Sequence, residues 1–174
     1  YLIEGNLIAW FQGASEFGPR ALGARSFLAD PRNDEVRDEI NKKIKKRELF
    51  RPFAPSTISD SFQEFFEMTQ KSPYMNIVSS VRKSEIPAVT HIDGTARVHT
   101  VTREDNERYY DLIKLFGKKT GVPVILNTSF NIQEPIVYSP KDAIITFIKS
   151  EVDYLVIGNY IASREGLKKN VSYY

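Results

Sequence analysis

A segment rich in glycine, proline and arginine follows the first apolar run and constrains how the chain bends there. Residues 16–26 read EFGPRALGARS, in which two glycines, a proline and two arginines fall within residues 18–25. Glycine opens backbone conformations closed to other residues and proline fixes its own φ, so the segment predicts a loop. The planar, permanently charged Arg20 and Arg25 suit phosphate or carboxylate. We predict an anion site completed by Ser26 and free backbone N–H groups, with a solvated surface turn as the alternative.

Composition indicates a globular protein that is large enough to bury a core. The 174 residues are 41% hydrophobic and 12% aromatic, and 24 basic residues against 22 acidic ones give a net charge of +2. This length fits one domain, and the near-neutral charge disfavours a nucleic-acid partner. The absence of cysteine fits a cytoplasmic location. No apolar run reaches the roughly 18 residues of a membrane span, so no membrane partner is expected.

Apolar periodicity predicts short strands that alternate with helices. The predicted strands are 7–11, 56–59, 74–81, 87–92, 95–101, 122–126 and 154–158, and residues 159–162 continue or pair with the last one. The predicted helices are 34–47, a short aromatic one at 61–66, 106–120 and 139–147. Asp93-Gly94 is a strong hairpin signal, so strands 87–92 and 95–101 are predicted to pair. The fold class is therefore α/β (α+β) with a mixed sheet, in one domain whose tail, 166–174, frays.

Basic residues cluster at the end of the predicted helix 34–47. They are Lys42, Lys43, Lys45, Lys46, Arg47 and Arg51, against a lone Glu48. The segment that follows contains two prolines, which forbid helix, and two phenylalanines, which favour burial. We therefore expect Arg47 and Arg51 to be held in defined positions. Lys42, Lys43 and Lys45 are interpreted as solvated lysines at a helix C-terminus.

Further polar candidates lie on predicted strands and at their ends. Arg97 lies in the middle of strand 95–101, and Asn127 and Ser129 follow the buried strand 122–126. Amide and hydroxyl side chains at the end of a strand either form hydrogen bonds with the backbone of their own turn or donate to a phosphate or ribose. His91 and His99 have no partners at ligand spacing, so no metal site is expected. Many arginines, without a nucleophile–base pair or a Walker loop, favour phosphoryl or nucleotidyl transfer.

Four motifs carry a resemblance to a known family. They are Phe17–Ser26 with Asp30–Arg32, Arg47–Pro55, His91–Arg97 and Asn127–Asn131. In this order they resemble the C-terminal domain of the NodU/CmcH-type O-carbamoyltransferases, which include nodulation proteins and antibiotic-tailoring enzymes. The resemblance extends from Gly5 to Arg164. One departure is that many members have a glycine before Glu-Pro-Ile-Val, whereas here Ile132-Gln133 leads directly into Glu134.

The resemblance implies a YrdC-like fold, a twisted open mixed sheet flanked by helices. It implies that this domain uses carbamoyl phosphate and ATP, accompanied by magnesium, to form carbamoyl-adenylate. A preceding actin/Hsp70-like domain, which carries the family's metal, would then transfer the carbamoyl group to an acceptor hydroxyl. The chain starts at Tyr1 rather than Met, so we expect it to be a segment that lacks this N-terminal transferase domain, its partner in the same polypeptide.

The resemblance also assigns roles to individual residues. The implied catalytic residues are Arg47, Arg51 and Arg97, and the implied nucleotide-binding residues are Arg20, Arg25, Lys46, Asn127 and Ser129. Asn127 and Ser129 would contact phosphates or the carbamoyl group. The alternative is a non-catalytic module that binds double-stranded RNA or a nucleotide, and a regulatory domain without chemistry is a third reading. The acceptor and a homodimer are left open.

Overall fold

The computed structural model describes residues 1–165 of the chain, so the predicted frayed tail, 166–174, lies outside the described residues. The strands are β1 Ile8–Phe11, β2 Arg25–Ala29, β3 Ala54–Ile58, β4 Ile77–Ser80, β5 Thr95–Val101, β6 Val124–Ser129, β7 Tyr154–Ile157 and β8 Tyr160–Ser163. The α-helices are α1 Glu35–Glu39, α2 Phe62–Phe65, α3 Glu107–Thr120 and α4 Pro140–Lys149. A π-helix, Ile40–Lys45, continues α1, and short 3₁₀ turns form at Leu2–Glu4 and Pro87–Val89.

The described strands form one eight-stranded mixed sheet in the order β4-β5-β3-β6-β2-β1-β7-β8. The pairs β1–β7 and β3–β5 are parallel, and the remaining neighbours are antiparallel. Successive side chains of a strand point to opposite faces, so each face carries its own apolar core. On one face Ala9 and Phe11 pack with α1, α2 and α4, and on the other Ile8 and Trp10 pack with α3. The predicted mixed α/β fold is confirmed.

The predicted hairpin between 87–92 and 95–101 is wrong. The Asp93-Gly94 turn does form, with Gly94 at φ +77°, but residues 87–89 make a 3₁₀ turn that buries Ala88 and Val89. Strand β5 pairs instead with β4 on one side and β3 on the other. Because both edges of β5 are occupied, no edge remains for residues 87–92.

Strand β2 and the π-helix are the elements that differ most from the predicted ones. Arg25 and Ser26 were expected to belong to the arginine-rich loop and no element was predicted for residues 27–29, but residues 25–29 form a fully buried strand between β6 and β1. The predicted helix 34–47 has its apolar face of Val36, Ile40 and Ile44 buried as expected, but it widens to a π-helix after Glu39. Residues 160–163 pair antiparallel with β7, which confirms the pairing alternative for 159–162.

Within residues 1–165, no helix combines the length and the apolar character needed to cross a membrane.

Candidate active site

Two adjoining cavities collect most of the predicted site residues. The first, about 120 Å³, and the second, about 340 Å³, share Arg47 and Ser129 and together form what we call the cationic cleft. The predicted residues that line it are Arg20, Lys46, Arg47, Arg51, Arg97, Asn127 and Ser129. They come from the Gly-Pro-Arg loop, the end of the π-helix and its following segment, β5 and β6. Five of the predicted basic residues therefore converge on one concavity, whereas Arg25 does not reach it.

Arg25 lies outside the cationic cleft because β2 carries it into the core. Its Nη1 donates to the carbonyls of Gln12 and Ala24 at 2.8 and 3.0 Å, and its Nη2 donates to Gly13 O at 3.0 Å. Its guanidinium lies 3.6 Å from the centroid of the Phe11 ring, and burial lowers its pKa. The charge of Arg25 thus holds the end of β1, and the expected contact with a ligand has no support in this placement.

The predicted anion cradle in the Gly-Pro-Arg loop is filled by the chain's own carboxylate. Glu16 Oε1 accepts from the backbone N–H groups of Leu22, Ala24 and Arg25 at 2.7, 2.8 and 3.2 Å. The hydroxyl of Ser26 is fully buried and accepts from Gly23 N. These donors are therefore not free for a ligand. Their internal use fixes the loop that presents Arg20 at the edge of the cleft.

Gly23 is the point where this loop meets helix α3. Its φ is +92°, and a Cβ there would overlap Cδ1 of the buried Tyr109 ring. We expect Gly23→Ala to lower the free energy of unfolding by about 2 to 3 kcal/mol, through left-handed strain and overpacking. Urea denaturation measures this loss. Gly94→Ala is the matched control, since Gly94 has φ +77° but open space around it, and an equal loss there would show that Tyr109 is not the cause.

Arg97 and Arg20 face the first cavity with little to neutralise them. Arg97 is half-buried on β5, and its Nε has no hydrogen-bond partner among the described residues. Burial lowers the pKa of Arg97, and the neighbouring charge of Arg20 lowers it further. The repulsion between two positive charges at one cavity raises the energy of the empty site. A bound polyanion would offset this repulsion.

Arg47 is held by a buried asparagine. Its Nε donates to Asn41 Oδ1 at 2.7 Å, and its guanidinium lies 4.8 Å from the centroid of Phe53. Asn41 also donates to the carbonyls of Leu49 and Arg51, which fixes the turn after the π-helix. The side chain of Arg51 is exposed, with the Glu48 carboxylate 3.9 Å away. The structure thus holds Arg47 in place and leaves the side chain of Arg51 exposed at the second cavity.

Lys45, interpreted from the sequence as a solvated lysine, is buried at the base of the second cavity, so that interpretation is wrong. Its Nζ lies 2.6 to 3.2 Å from Ser129 O, Ser129 Oγ, Asn131 O and Asn131 Oδ1. Lys45 and its neighbour Ile44 are both buried residues of the π-helix. Burial and the positive charge of Arg47 lower the pKa of Lys45 to about 7, although the negative charge of Glu134 favours the ammonium form. Lys45 and Asn131 are the site residues that sequence reasoning missed.

Asn127 presents an acceptor rather than the predicted donor. Its Nδ2 donates to Ala21 O and Ser56 Oγ at 3.0 and 2.9 Å, whereas its buried Oδ1 has no partner among the described residues. Oγ of Ser56 also forms a hydrogen bond of 2.8 Å with Nδ1 of His99, a contact that the sequence did not indicate. Burial lowers the pKa of His99 to about 4, so this imidazole is neutral at physiological pH. Among the described residues, no group of three or more acidic or histidine side chains could hold a metal ion.

Comparison with known proteins gives a consistent picture. The family model described as carbamoyltransferase C-terminus matches residues 1–164. The nodulation protein NolNO of Sinorhizobium fredii is 51% identical over 94% of this chain and 25% of its own length. The 3'-hydroxymethylcephem-O-carbamoyltransferase of Amycolatopsis lactamdurans is 38% identical over 91% of this chain and 31% of its own length. The chain thus spans between a quarter and a third of these relatives.

A solved structure shares the fold at low sequence identity. Full-length HypF, in a crystal structure of its phosphate- and nucleotide-bound form, matches 90% of this chain and 19% of its own chain. The TM-score is 0.58 and the sequence identity is 18%. The likeness confirms the predicted fold class and concerns the fold alone.

Proposed function

The chain belongs to the carbamoyltransferase C-terminus family, and on that premise we propose that it activates carbamoyl phosphate with ATP to form carbamoyl-adenylate. The observation that carries the proposal is the cationic cleft, where Arg20, Arg47 and Arg97 converge around a small cavity. Carbamoyl phosphate and ATP are both highly anionic, so bringing them together requires fixed positive charge to offset their repulsion. The HypF structure, described as phosphate- and nucleotide-bound, supports this pair of ligand classes for the fold.

The proposed reaction consists of two displacements. Water cleaves carbamoyl phosphate into carbamate and inorganic phosphate. A carbamate oxygen then attacks the α-phosphorus of ATP, and the bond to the leaving pyrophosphate breaks. Mg²⁺ is expected to arrive with the ATP phosphates and to screen their charge. The chain supplies positioning and charge stabilisation, which are the main contributions of proteins to phosphoryl and nucleotidyl transfer.

We assign the roles within the cleft by position and hydrogen-bonding capacity. Arg20 and Arg97 line the first cavity and would bind the ATP phosphates, and Arg47 and Arg51 would bind carbamoyl phosphate from the second. Asn127 lines the first cavity, and its Oδ1 is a buried acceptor without a described partner. It would accept from the N–H of a carbamoyl group that extends from the second cavity past the shared Arg47 and Ser129. This contact would favour carbamoyl phosphate over acetyl phosphate, which has no such donor.

The remainder of the polypeptide would complete the transfer. Because the relatives are three to four times as long as the matched region, we propose that a preceding transferase domain receives the carbamoyl-adenylate and selects the acceptor hydroxyl. Loss of AMP from the mixed anhydride would then leave the carbamoyl group on that hydroxyl.

Exchange of labelled pyrophosphate into ATP tests the proposal. We expect exchange that depends on carbamoyl phosphate and that acetyl phosphate does not support. Saturable ATP binding without exchange would mean that the preceding domain completes the site. If the protein binds neither substrate but binds double-stranded RNA with a strong salt dependence, the non-catalytic alternative is favoured.

Binding of carbamoyl phosphate is expected to take up a proton near pH 8. The pKa of Lys45 is about 7, so at pH 8 its amine is mostly neutral, and an adjacent phosphate dianion restores the ammonium form. Affinity should therefore fall as the pH rises from 7 to 9, approaching roughly tenfold per unit. Calorimetry in two buffers of different ionisation enthalpy measures the proton uptake. Equal binding enthalpies in the two buffers would contradict this role of Lys45, and Lys45→Gln should abolish the uptake.

A further inference from the structure

A series of buried hydrogen bonds crosses three neighbouring strands next to the cationic cleft. Strand β3 lies between β5 and β6. In this register Ser56 is directly opposite His99 of β5 and diagonal to Asn127 of β6, so the three side chains share one face of the sheet. All three residues are at most 3% exposed. Asn127 lines the cleft, whereas Ser56 and His99 lie outside its lining and have no role in the proposed function so far.

The first of these hydrogen bonds fix the direction in which the Asn127 amide points. Ala21 O lies 3.0 Å from Nδ2. Because a backbone carbonyl oxygen only accepts, the amide atom beside it must be the nitrogen. Nδ2 also donates to Ser56 Oγ at 2.9 Å. Oδ1 is left without a described partner, so Asn127 offers an acceptor to a ligand of the cleft.

His99 determines the role of the Ser56 hydroxyl. Because Ser56 Oγ accepts from Asn127, its single hydrogen is available to His99 Nδ1 at 2.8 Å. This assignment makes Nδ1 an acceptor, with the ring proton on Nε2. Burial lowers the pKa of His99 to about 4, which agrees with a neutral ring. With its hydrogen on His99, Ser56 remains an acceptor toward Asn127.

The opposite orientation of the Asn127 amide is unfavourable for the protein and for the ligand. Oδ1 would face the carbonyl oxygen of Ala21, which would place two acceptors together in a buried position. The amide NH₂ group would take the place of Oδ1 toward the cleft. There it would meet the N–H of a carbamoyl group, donor against donor. The orientation of this amide therefore decides whether the cleft accepts or repels a carbamoyl group.

We propose that Ser56 and His99 are positioning residues that set the specificity of the cleft for a carbamoyl group, because they hold Oδ1 of Asn127 toward the ligand. This inference rests on the proposed function, since it assumes that carbamoyl phosphate binds in the cleft. Both residues act through Asn127 and not by contact with the ligand. Their places on adjacent strands of one sheet give the amide a rigid support.

Two stable phosphonates test this inference. Phosphonoacetamide corresponds to carbamoyl phosphate with a methylene in place of the bridging oxygen, and acetonylphosphonate differs from it only by a methyl group in place of the amide NH₂. Calorimetry measures both dissociation constants, and the wild-type protein should prefer phosphonoacetamide by about tenfold. Ser56→Ala removes one of the two acceptors that orient Asn127, so this preference should fall to about twofold or less. His99→Phe keeps a ring but removes the acceptor of Ser56, and it should lower the preference in the same direction.

Two further variants distinguish positioning from a general effect on the fold. Asn127→Leu retains a similar volume without an amide, and in that background Ser56→Ala should not change the preference any further. Thr57→Val is the matched control on β3, because Thr57 is also fully buried but its hydroxyl donates to Pro123 O on the opposite face of the strand. Its preference should equal that of the wild-type protein.

The outcomes separate this inference from the proposed function. If the wild-type protein prefers phosphonoacetamide and Ser56→Ala retains that preference, the inference fails and the proposed function stands. Equal affinity of the wild-type protein for the two phosphonates also contradicts the inference. If the wild-type protein binds neither phosphonate nor carbamoyl phosphate, the proposed function fails, and this inference fails with it. If Ser56→Ala is too unstable to assay, His99→Phe decides by the same criterion.

Discussion

Arg97→Ala should lower the rate of carbamoyl-phosphate-dependent pyrophosphate exchange by about 10²- to 10³-fold. Arg97 is half-buried on β5 and lines the first cavity, and its Nε lacks a partner among the described residues. A preorganised cation in such a position stabilises the charge that develops on the departing pyrophosphate, and losing one such contact typically costs about 2 to 4 kcal/mol. The rate of exchange at saturating ATP measures the effect directly.

The same substitution should leave the fold intact. Burial and the charge of Arg20 both disfavour the Arg97 cation in the empty protein, so its removal relieves repulsion rather than breaking a supporting contact. We expect the free energy of unfolding to be unchanged or slightly higher. Arg103→Ala is the matched control, because Arg103 is an exposed arginine paired with Glu107 and Asp111, and it should retain full exchange. Near-wild-type exchange in Arg97→Ala would remove Arg97 from the mechanism.

Much of the fold follows from short-range patterns in the sequence. The amphipathic helix 106–120 corresponds to α3, which begins after the Asn106 cap and ends at Gly121 with φ +79°. Strand 95–101 has its predicted bounds, and strands 7–11 and 154–158 are each one residue shorter than predicted. Strand β2 was not predicted, because its apolar run is short and starts with a charged residue, Arg25, and only the neighbours β1 and β6 make that residue a buried one. The pairing of β5 with β3 and β4 likewise depends on contacts between residues that are distant in the sequence.

The arginines of the candidate site were identifiable from the sequence, but their environments were not. Arginine types and loop positions pointed to an anion site, and the cleft does contain Arg20, Arg47 and Arg97. Whether a donor is free depends on contacts between distant residues. The Glu16 carboxylate already accepts from backbone N–H groups of the loop. Ala21 O and Ser56 Oγ already accept from the side-chain amide of Asn127. A local sequence pattern does not indicate which distant residues will form these hydrogen bonds.

Lys45 shows the same difficulty in its sharpest form. Its sequence neighbours are lysines and an arginine, which is the usual composition of a solvated helix end. In the structure Lys45 lies instead on a π-helix that begins after Glu39, and it donates to Ser129 and Asn131. π-helical segments are rare and are frequent at functional sites, so this one supports the assignment of the second cavity to a substrate.

Lys45→Met should therefore be the most disruptive of the lysine substitutions. Methionine fills a similar volume but donates no hydrogen bond, so the four oxygens of Ser129 and Asn131 lose their shared donor in a buried position. We expect the free energy of unfolding to fall by about 3 kcal/mol or more. The rate of pyrophosphate exchange should fall at least 100-fold for two reasons. The substitution removes a positive charge that would bind the anion, and it removes the donor that holds the strand end with Ser129 in place.

Lys43→Met is the matched control for both measurements. Lys43 lies on the same π-helix, but it is exposed and pairs with Glu39, so its loss should cost no more than about 0.5 kcal/mol and leave exchange unchanged. If Lys45→Met is too unstable to assay, Lys45→Arg keeps a cation with a bulkier head that does not fit the same four oxygens. That variant should fold and still lose most of the exchange. Wild-type stability and exchange in both Lys45 variants would show that the buried ammonium supports neither the fold nor the substrate, and that the π-helix has another cause.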